Sequence, residues 1–189
     1  MAMSVRVAAT EDRPAILSLL RSSHEDAVAE QDRGELGFVR GEWDESALEE
    51  LSGGPGIFLA EDGDTVAAVA LTADGSDPER FTGPARRTLA MTKSLDGPVL
   101  LYGPVVVAPA FRGRGVVRTL LSGMALMLGD RYPTAALYVD NTNERALQVH
   151  RGLGMRKHGR FTLDDHAYTV FTFAPADFHP MPLKKGKKK

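Results

Sequence analysis

Residues 105–121, VVVAPAFRGRGVVRTLL, constrain the fold of this chain more than any other stretch. Val105, Val106 and Val107 are β-branched and apolar, which suits a buried strand. Pro109 cannot donate to a ladder, so the strand ends there. Gly113 and Gly115 have no Cβ, and their backbone can approach a ligand closely. From Val117 on, Leu120, Leu121, Met124, Met127 and Leu128 recur at the spacing of one helix face. A strand that passes through a glycine turn into a helix leaves unpaired N–H groups at the positive end of the helix dipole. Arg112, Arg114 and Arg118 surround that point with charge. The pattern predicts an anion site, and phosphate groups in particular. A dinucleotide-binding loop is the nearest alternative. It requires glycine at the sixth position counted from Gly113, where Arg118 stands, and glycines directly after the strand, where residues 109–112 intervene.

The flanking sequence supplies further strands and helices. Residues 4–9 read as a first strand. Thr10 caps a helix with Glu11 and Asp12 in its first turn, and Ala15, Ile16, Leu19 and Leu20 form its buried stripe. Residues 22–43 are polar and irregular. Asp44 caps a second helix with Ala47, Leu48 and Leu51 inward, and Gly53-Gly54 ends it. Residues 57–60 and 66–71 form strands around the hairpin signal Asp62-Gly63. Residues 73–97 are too long for a simple turn and hold a short helix near 84–91. Then follow a strand at 98–107, a helix at 115–129, a strand at 135–139 and a helix at 143–152. A final hairpin pairs 155–163 with 166–173 around Asp164-Asp165. The order predicts an α/β fold, a mixed sheet with helices on both faces, as a single domain over residues 1–180 followed by a basic tail at 181–189.

Composition excludes several function classes. A chain of 189 residues can bury one substantial core. It has no cysteine, which rules out disulfides, a thiol nucleophile and a cysteine metal site. His158 and His166 have no partner at ligand spacing, so no metal site is read. No apolar run approaches the length of a membrane span, and the N-terminus lacks the apolar core of a signal peptide, so the expected location is cytoplasmic, with no membrane partner. Lys184, Lys185, Lys187, Lys188 and Lys189 carry +5 of a net charge of −2, so the rest of the chain carries −7 and does not suggest a nucleic-acid partner. The tail reads as a solubilising, disordered end, with contact to RNA or anionic lipid as the alternative.

Two motifs carry a family resemblance. Arg112-x-x-Gly115-x-Val117 resembles the pyrophosphate loop of the GNAT superfamily of N-acetyltransferases, Gln/Arg-x-x-Gly-x-Gly/Ala. Downstream, a strand through Leu137 is followed by Asn143, Ala146, His150 and Gly154-Met155. This resembles the family's Asn-x-x-Ala-x-x-x-Tyr-x-x-x-Gly-Phe. The specific resemblance spans residues 99–156. Val117 stands where the family has Gly or Ala, and His150 where it has Tyr.

The resemblance implies a GNAT-type, mostly antiparallel sheet and an acyltransferase that uses acetyl-CoA as co-substrate. The acetyl group would pass to an amine of a small molecule or peptide by direct attack, without a covalent enzyme intermediate. A non-catalytic CoA-binding sensor or regulatory protein is the alternative. The resemblance implies that Val105, Val106 and Val107 lie beside the pantetheine and supply a backbone oxyanion donor. It likewise implies that Arg112, Gly113, Arg114, Gly115, Val116, Val117 and Arg118 hold the pyrophosphate. Asn143 would hold the cofactor arm, its other reading being a helix N-cap. His150 would protonate the departing thiolate, which requires the imidazolium form. Tyr138 occupies the position of a family carboxylate base, although a tyrosine of pKa about 10 is a poor base. Asp140 is the nearest carboxylate, and Tyr102 or Tyr138 can line the acceptor pocket. His24, Glu25, Asp26, Glu30, Asp32 and Glu35 crowd residues 22–43, which with 73–97 would line the acceptor pocket and steer a cationic amine. A homodimer is allowed.

Overall fold

The structure is a computed structural model that describes residues 3–180. The lysine tail lies outside the described residues. Seven strands form one sheet: β1 (Ser4–Val7), β2 (Ile57–Asp62), β3 (Thr65–Asp74), β4 (Val99–Val107), β5 (Thr134–Asp140), β6 (Arg156–Leu163) and β7 (His166–Phe173). Their spatial order is β1-β2-β3-β4-β5-β7-β6. Every neighbouring pair is antiparallel except β4 and β5, which run parallel. Six helices cover the sheet: α1 (Arg13–Ser22), α2 (Arg33–Leu36), α3 (Glu45–Ser52), α4 (Gly83–Thr92), α5 (Val116–Leu128) and α6 (Glu144–Gly152). The α/β fold with a mostly antiparallel sheet is therefore present.

The alternation of side chains along each strand separates two cores. On one face, Leu100, Leu137, Val139 and Phe171 pack with Leu120, Leu121 and Met124 of α5 and Leu147 of α6. On the other, Ile57, Leu59, Val69 and Val106 pack with Ile16, Leu17 and Leu20 of α1 and Leu48 of α3. Leu89 of α4 covers Val99, Leu101 and Ala136 farther along that second face. Each buried aliphatic side chain contributes about 1.5–3 kcal/mol, so the three of α5 alone anchor the helix whose start forms the glycine turn.

Local differences from the sequence expectation have physical causes. Thr10 does not cap the first helix. A 3-10 turn, Thr10–Asp12, intervenes, and the Asp12 carboxylate accepts from Ala9 N–H at 2.7 Å. That carboxylate is held from its other side by the Arg6 guanidinium at 2.6 and 2.8 Å. The later start turns Leu17 inward and leaves Ala15 exposed. In α5 the inward face includes Ala125, while Met127 is 43% exposed. Gly123 explains the close seating of α5: a Cβ there would collide with Val5 of β1. Residues 73–97 are mostly α4 and its approach. In the final hairpin, Asp164 and Asp165 take φ of 48° and 63°, the double left-handed turn that matches strand twist.

Candidate active site

The sheet opens where its only parallel pair diverges. β4 and β5 are paired only at Val99–Thr134, Leu100–Ala135 and Leu101–Ala136, whereas β4 stays paired with β3 as far as Val107. Ala108 N–H donates to Ala67 O of the β3 side at 2.8 Å. By antiparallel alternation, the main chain of Val106 also faces β3, and that of Val105 and Val107 faces the gap. The fold therefore contains an internal sheet edge with free hydrogen-bonding groups.

A cavity of about 410 Å³ lies against that edge on the α5 and α6 face. Val105, Val106, Val107, Arg112, Gly113, Gly115, Val116, Val117, Arg118, Asn143 and His150 all line it. Arg114 does not; its guanidinium lies 5.6 Å over the Phe111 ring. Gly113 and Gly115 have φ of 74° and 73°, a backbone region that β-substituted residues rarely enter. Gly115 is the N-cap of α5 and lacks a side-chain cap bond. The N–H groups of residues 113–117 donate to no group among the described residues, while Arg118 N–H turns back to Gly115 O at 3.0 Å. Of the seven residues 112–118, five consecutive ones thus keep free N–H donors at a helix N-terminus, Arg112 N–H being bonded to Pro109 O.

Asn143 has two tasks inside the protein. Its Oδ1 accepts from Ala146 N–H at 3.2 Å, capping α6, and its Nδ2 donates to Phe38 O at 2.7 Å. The sequence already offered the capping task; the Phe38 bond spans 105 positions and has no sequence signal. Through that bond, α6 holds the segment after α2 over the cavity, where Leu36, Phe38 and Val39 line it. These apolar residues and Phe111 were absent from the sequence-based site. Apolar residues in a polar loop are the signal that could have found Phe38 and Val39.

His150 is 8% exposed, and its Nδ1 is buried without a partner. Burial lowers its pKa to about 4, which disfavours the imidazolium that the sequence-based role requires. Phe171 and Tyr102 pack around the ring, at centroid distances of 6.1 and 6.3 Å. Tyr102 Oη is likewise buried and unpartnered, and burial raises its pKa. Tyr138 lies on the opposite sheet face from Leu137 and Val139, and hence from His150, although both border the second cavity described next. Tyr138 is 37% exposed, yet the atoms crowded around it and the neighbouring Tyr168 push its pKa upward, which makes it a still poorer base.

The second cavity, of about 350 Å³, passes through the gap between β4 and β5. It shares Phe38, Val39, Val105, Asn143, Ala146 and His150 with the first. Arg40, Trp43, Tyr102, Tyr138, Asp140 and Tyr168 complete most of its wall. Asp140 bonds Arg40 Nη1, and the Arg40 Nε donates to Glu25 Oε2 at 2.7 Å. Burial would raise the Asp140 pKa, but hydrogen bonds from Thr142 and the charge of Arg40 outweigh it and hold the carboxylate ionised. Of the acidic residues at positions 25–35, none lines this cavity, and Glu25 is tied to Arg40 at its edge. From residues 73–97 only Pro84 reaches it, because α4 packs on the sheet instead. The acidic residues at positions 25–35 therefore line neither cavity, and the wall of the second carries one carboxylate, paired with Arg40.

The family model described as the acetyltransferase (GNAT) family matches residues 14–155. No curated protein matches the sequence. Several solved structures share the fold. The ribosomal-protein-S18-alanine N-acetyltransferase of Escherichia coli is 17% identical, with 97% of this chain and 98% of that chain covered and a TM-score of 0.61. A polyamine N-acetyltransferase of Drosophila melanogaster is 14% identical, over 92% and 100% of the two chains, with a TM-score of 0.63. A chain of the NatC complex bound to Gag peptide and CoA is 13% identical, over 92% and 99%, with a TM-score of 0.62. At these identities the likeness is one of fold.

Proposed function

The chain belongs to the GNAT family of acetyltransferases, and from that premise we propose that it moves the acetyl group of acetyl-CoA to an amine of a small molecule or peptide by direct attack. The single observation that carries this reading is the internal edge of β4, open at Val105 and at Val107 N–H, with Val107 O turned to Arg112 Nε at 3.4 Å, and continuous with the free N–H groups of residues 113–117. An extended amide chain ending in phosphates fits both parts: β4 would pair with the amides, and the turn would hold the phosphates. Arg112, Arg118 and Arg145 line the same cavity and add positive charge. When bound, the thioester supplies an activated acyl group with a weakly basic leaving sulfur.

The residues at the junction of the cavities then have separate tasks. Val105 N–H faces the gap and would donate to the oxygen on which charge develops. Asn143 holds Phe38 in place and so keeps water from the junction. Tyr102 and His150 line the second cavity and carry buried, unpartnered polar atoms just behind its wall. His150 would act as a neutral imidazole, by hydrogen bonding, and water would carry the proton away. The amine must arrive uncharged to attack, and the apolar second cavity favours that form. This reading carries a single catalytic domain over residues 1–180 and a cytoplasmic location; among the described residues, no helix is long and apolar enough to cross a membrane.

The pairing of Asp140 with Arg40 leaves no free carboxylate in the wall of the second cavity, which favours a CoA-binding protein without turnover as the second reading. Release of free thiol from acetyl-CoA, measured against a panel of amines, amino acids and peptide N-termini, separates the two. Amine-dependent release is expected; binding of acetyl-CoA with no release for any amine would leave the sensor reading.

A further inference from the structure

The second cavity differs in character from its surroundings. Its wall carries the rings of Phe38, Trp43, Tyr102, Tyr138 and Tyr168. Tyr138 and Tyr168 meet edge to face at 6.0 Å, forming a flat-sided corner. Asp140 is the only carboxylate in the wall, and neither of its oxygens is free. Oδ2 is bonded to Arg40, and Oδ1 accepts from Thr142 Oγ1 at 2.6 Å and Thr142 N–H at 2.8 Å. Glu25, beside the wall, is bonded to the same guanidinium. At the inner end, Tyr102 Oη and His150 Nδ1 are sealed from solvent without partners, on rings 6.3 Å apart.

We propose that this cavity takes a monoamine whose one amino group is borne on an aromatic or similarly bulky apolar body, and that it selects against polyamines. The inference rests on the acetyl-transfer reading above. The rings accept a planar or apolar body and remove its surface from water. Tyr102 and His150 close the inner end, and a small turn of either ring would bring its unpartnered atom to a single amino group. A second ammonium would lose its hydration and meet the Arg40 guanidinium, with both neighbouring carboxylates already occupied. The same Arg40 therefore acts as the specificity-determining residue, by withholding Asp140 and Glu25 from the substrate.

The test compares 2-phenylethylamine with putrescine and spermidine at saturating acetyl-CoA, by thiol release, in the unmodified protein and in Arg40→Met. The expected kcat/KM for 2-phenylethylamine exceeds that for either polyamine by at least about tenfold. Arg40→Met releases Glu25 and leaves Asp140 with only Thr142 and His166 Nδ1, 3.0 Å from its Oδ2, and should narrow or invert that ratio. Trp43, the only tryptophan of the chain, lines the cavity and reports occupancy directly. With CoA present, 2-phenylethylamine should change its emission saturably and putrescine should not, a readout that stands even if Arg40→Met fails to fold. Equal or better turnover of a polyamine overturns the inference, and so does turnover confined to amino acids or peptides; both leave acetyl transfer intact. Calorimetric binding of acetyl-CoA with no amine turned over overturns this inference and the transfer reading together.

Discussion

The two cavities that meet at Val105 and His150 are built from different material. The first is mainly backbone: the inner edge of β4, the turn at residues 113–117 and the start of α5. Its donors are fixed by φ, ψ and strand pairing, while Leu36, Phe38, Phe111 and His150 close it from the sides. The second is mainly side chain, drawn from the segment after α2, from β4, β5 and β7, and from α6. A backbone site recognises what every substrate pair would share. A side-chain site can be changed one residue at a time without disturbing the sheet. Chemistry common to a family belongs in the first, and choice of acceptor in the second.

The sharpest way to break this division is to strain the backbone site alone. Gly115→Val places a β-branched residue at a φ of 73° and a side chain where phosphate would approach. The strain costs about 1–2 kcal/mol before any lost contact. Acetyl-CoA affinity should fall about 100-fold, while binding of an amine in the second cavity, read from Trp43 emission, changes little. Unchanged affinity by calorimetry would remove residues 113–117 from the cofactor site.

A smaller effect is expected at the junction. The unfolded chain protonates His150 near 6.5 and the folded chain near 4, so the unfolded state binds more protons in between. Stability associated with the neutral ring is present above pH 6.5 and is lost as pH falls toward 4, by about 1.4 kcal/mol per unit of separation. His150→Phe should flatten that part of the thermal-unfolding profile. Its kcat should drop about tenfold at every pH from 6 to 9, with acetyl-CoA affinity kept. A drop confined to the acid side would mean that a charged imidazolium acts, and equal kcat throughout would leave water alone as the proton carrier.

The smallest effect concerns the tie between the two regions. Asn143→Ala removes the α6 cap and leaves Phe38 O without its donor, for a stability loss of about 2 kcal/mol. Asn143→Asp keeps the cap and loses only the tether. If the tether seats Phe38 for both cavities, both variants raise the KM of amine and of acetyl-CoA. If Asp restores both constants, the cap alone matters.

What could be read from the sequence follows the same division. The glycine turn, the β4–α5 passage and the Asp44 and Asn143 caps are local, so spacing and residue type reveal them. Helix phase is less legible: one 3-10 turn at Thr10–Asp12 exchanges Ala15 for Leu17. The pair Arg40–Asp140 spans 100 positions, and nothing in either neighbourhood announces it. The acidic residues at positions 25–35 suggested a funnel for cations because charge is visible in a sequence, whereas their place outside both cavities and the tie of Glu25 to Arg40 are not. His150 was visible as a residue, but its protonation state depends on Phe171 and Tyr102, which only the folded sheet brings near.

The divergence of β4 from β5 has a consequence for the energetics of the whole molecule. An unpaired strand edge is normally a hazard that proteins cover or charge. Here it lies inside the sheet, with α6 and the segment tethered at Phe38 beside it. On the proposed reading, the pantetheine serves as the missing neighbour, and β4 lacks pairing on one side from Val105 to Val107 until it arrives. Ligand concentration then enters the stability of the protein as directly as any core residue does, adding about 2.7 kcal/mol at a hundredfold excess over the dissociation constant. Abundance of the folded chain in a cell would track the supply of its cofactor.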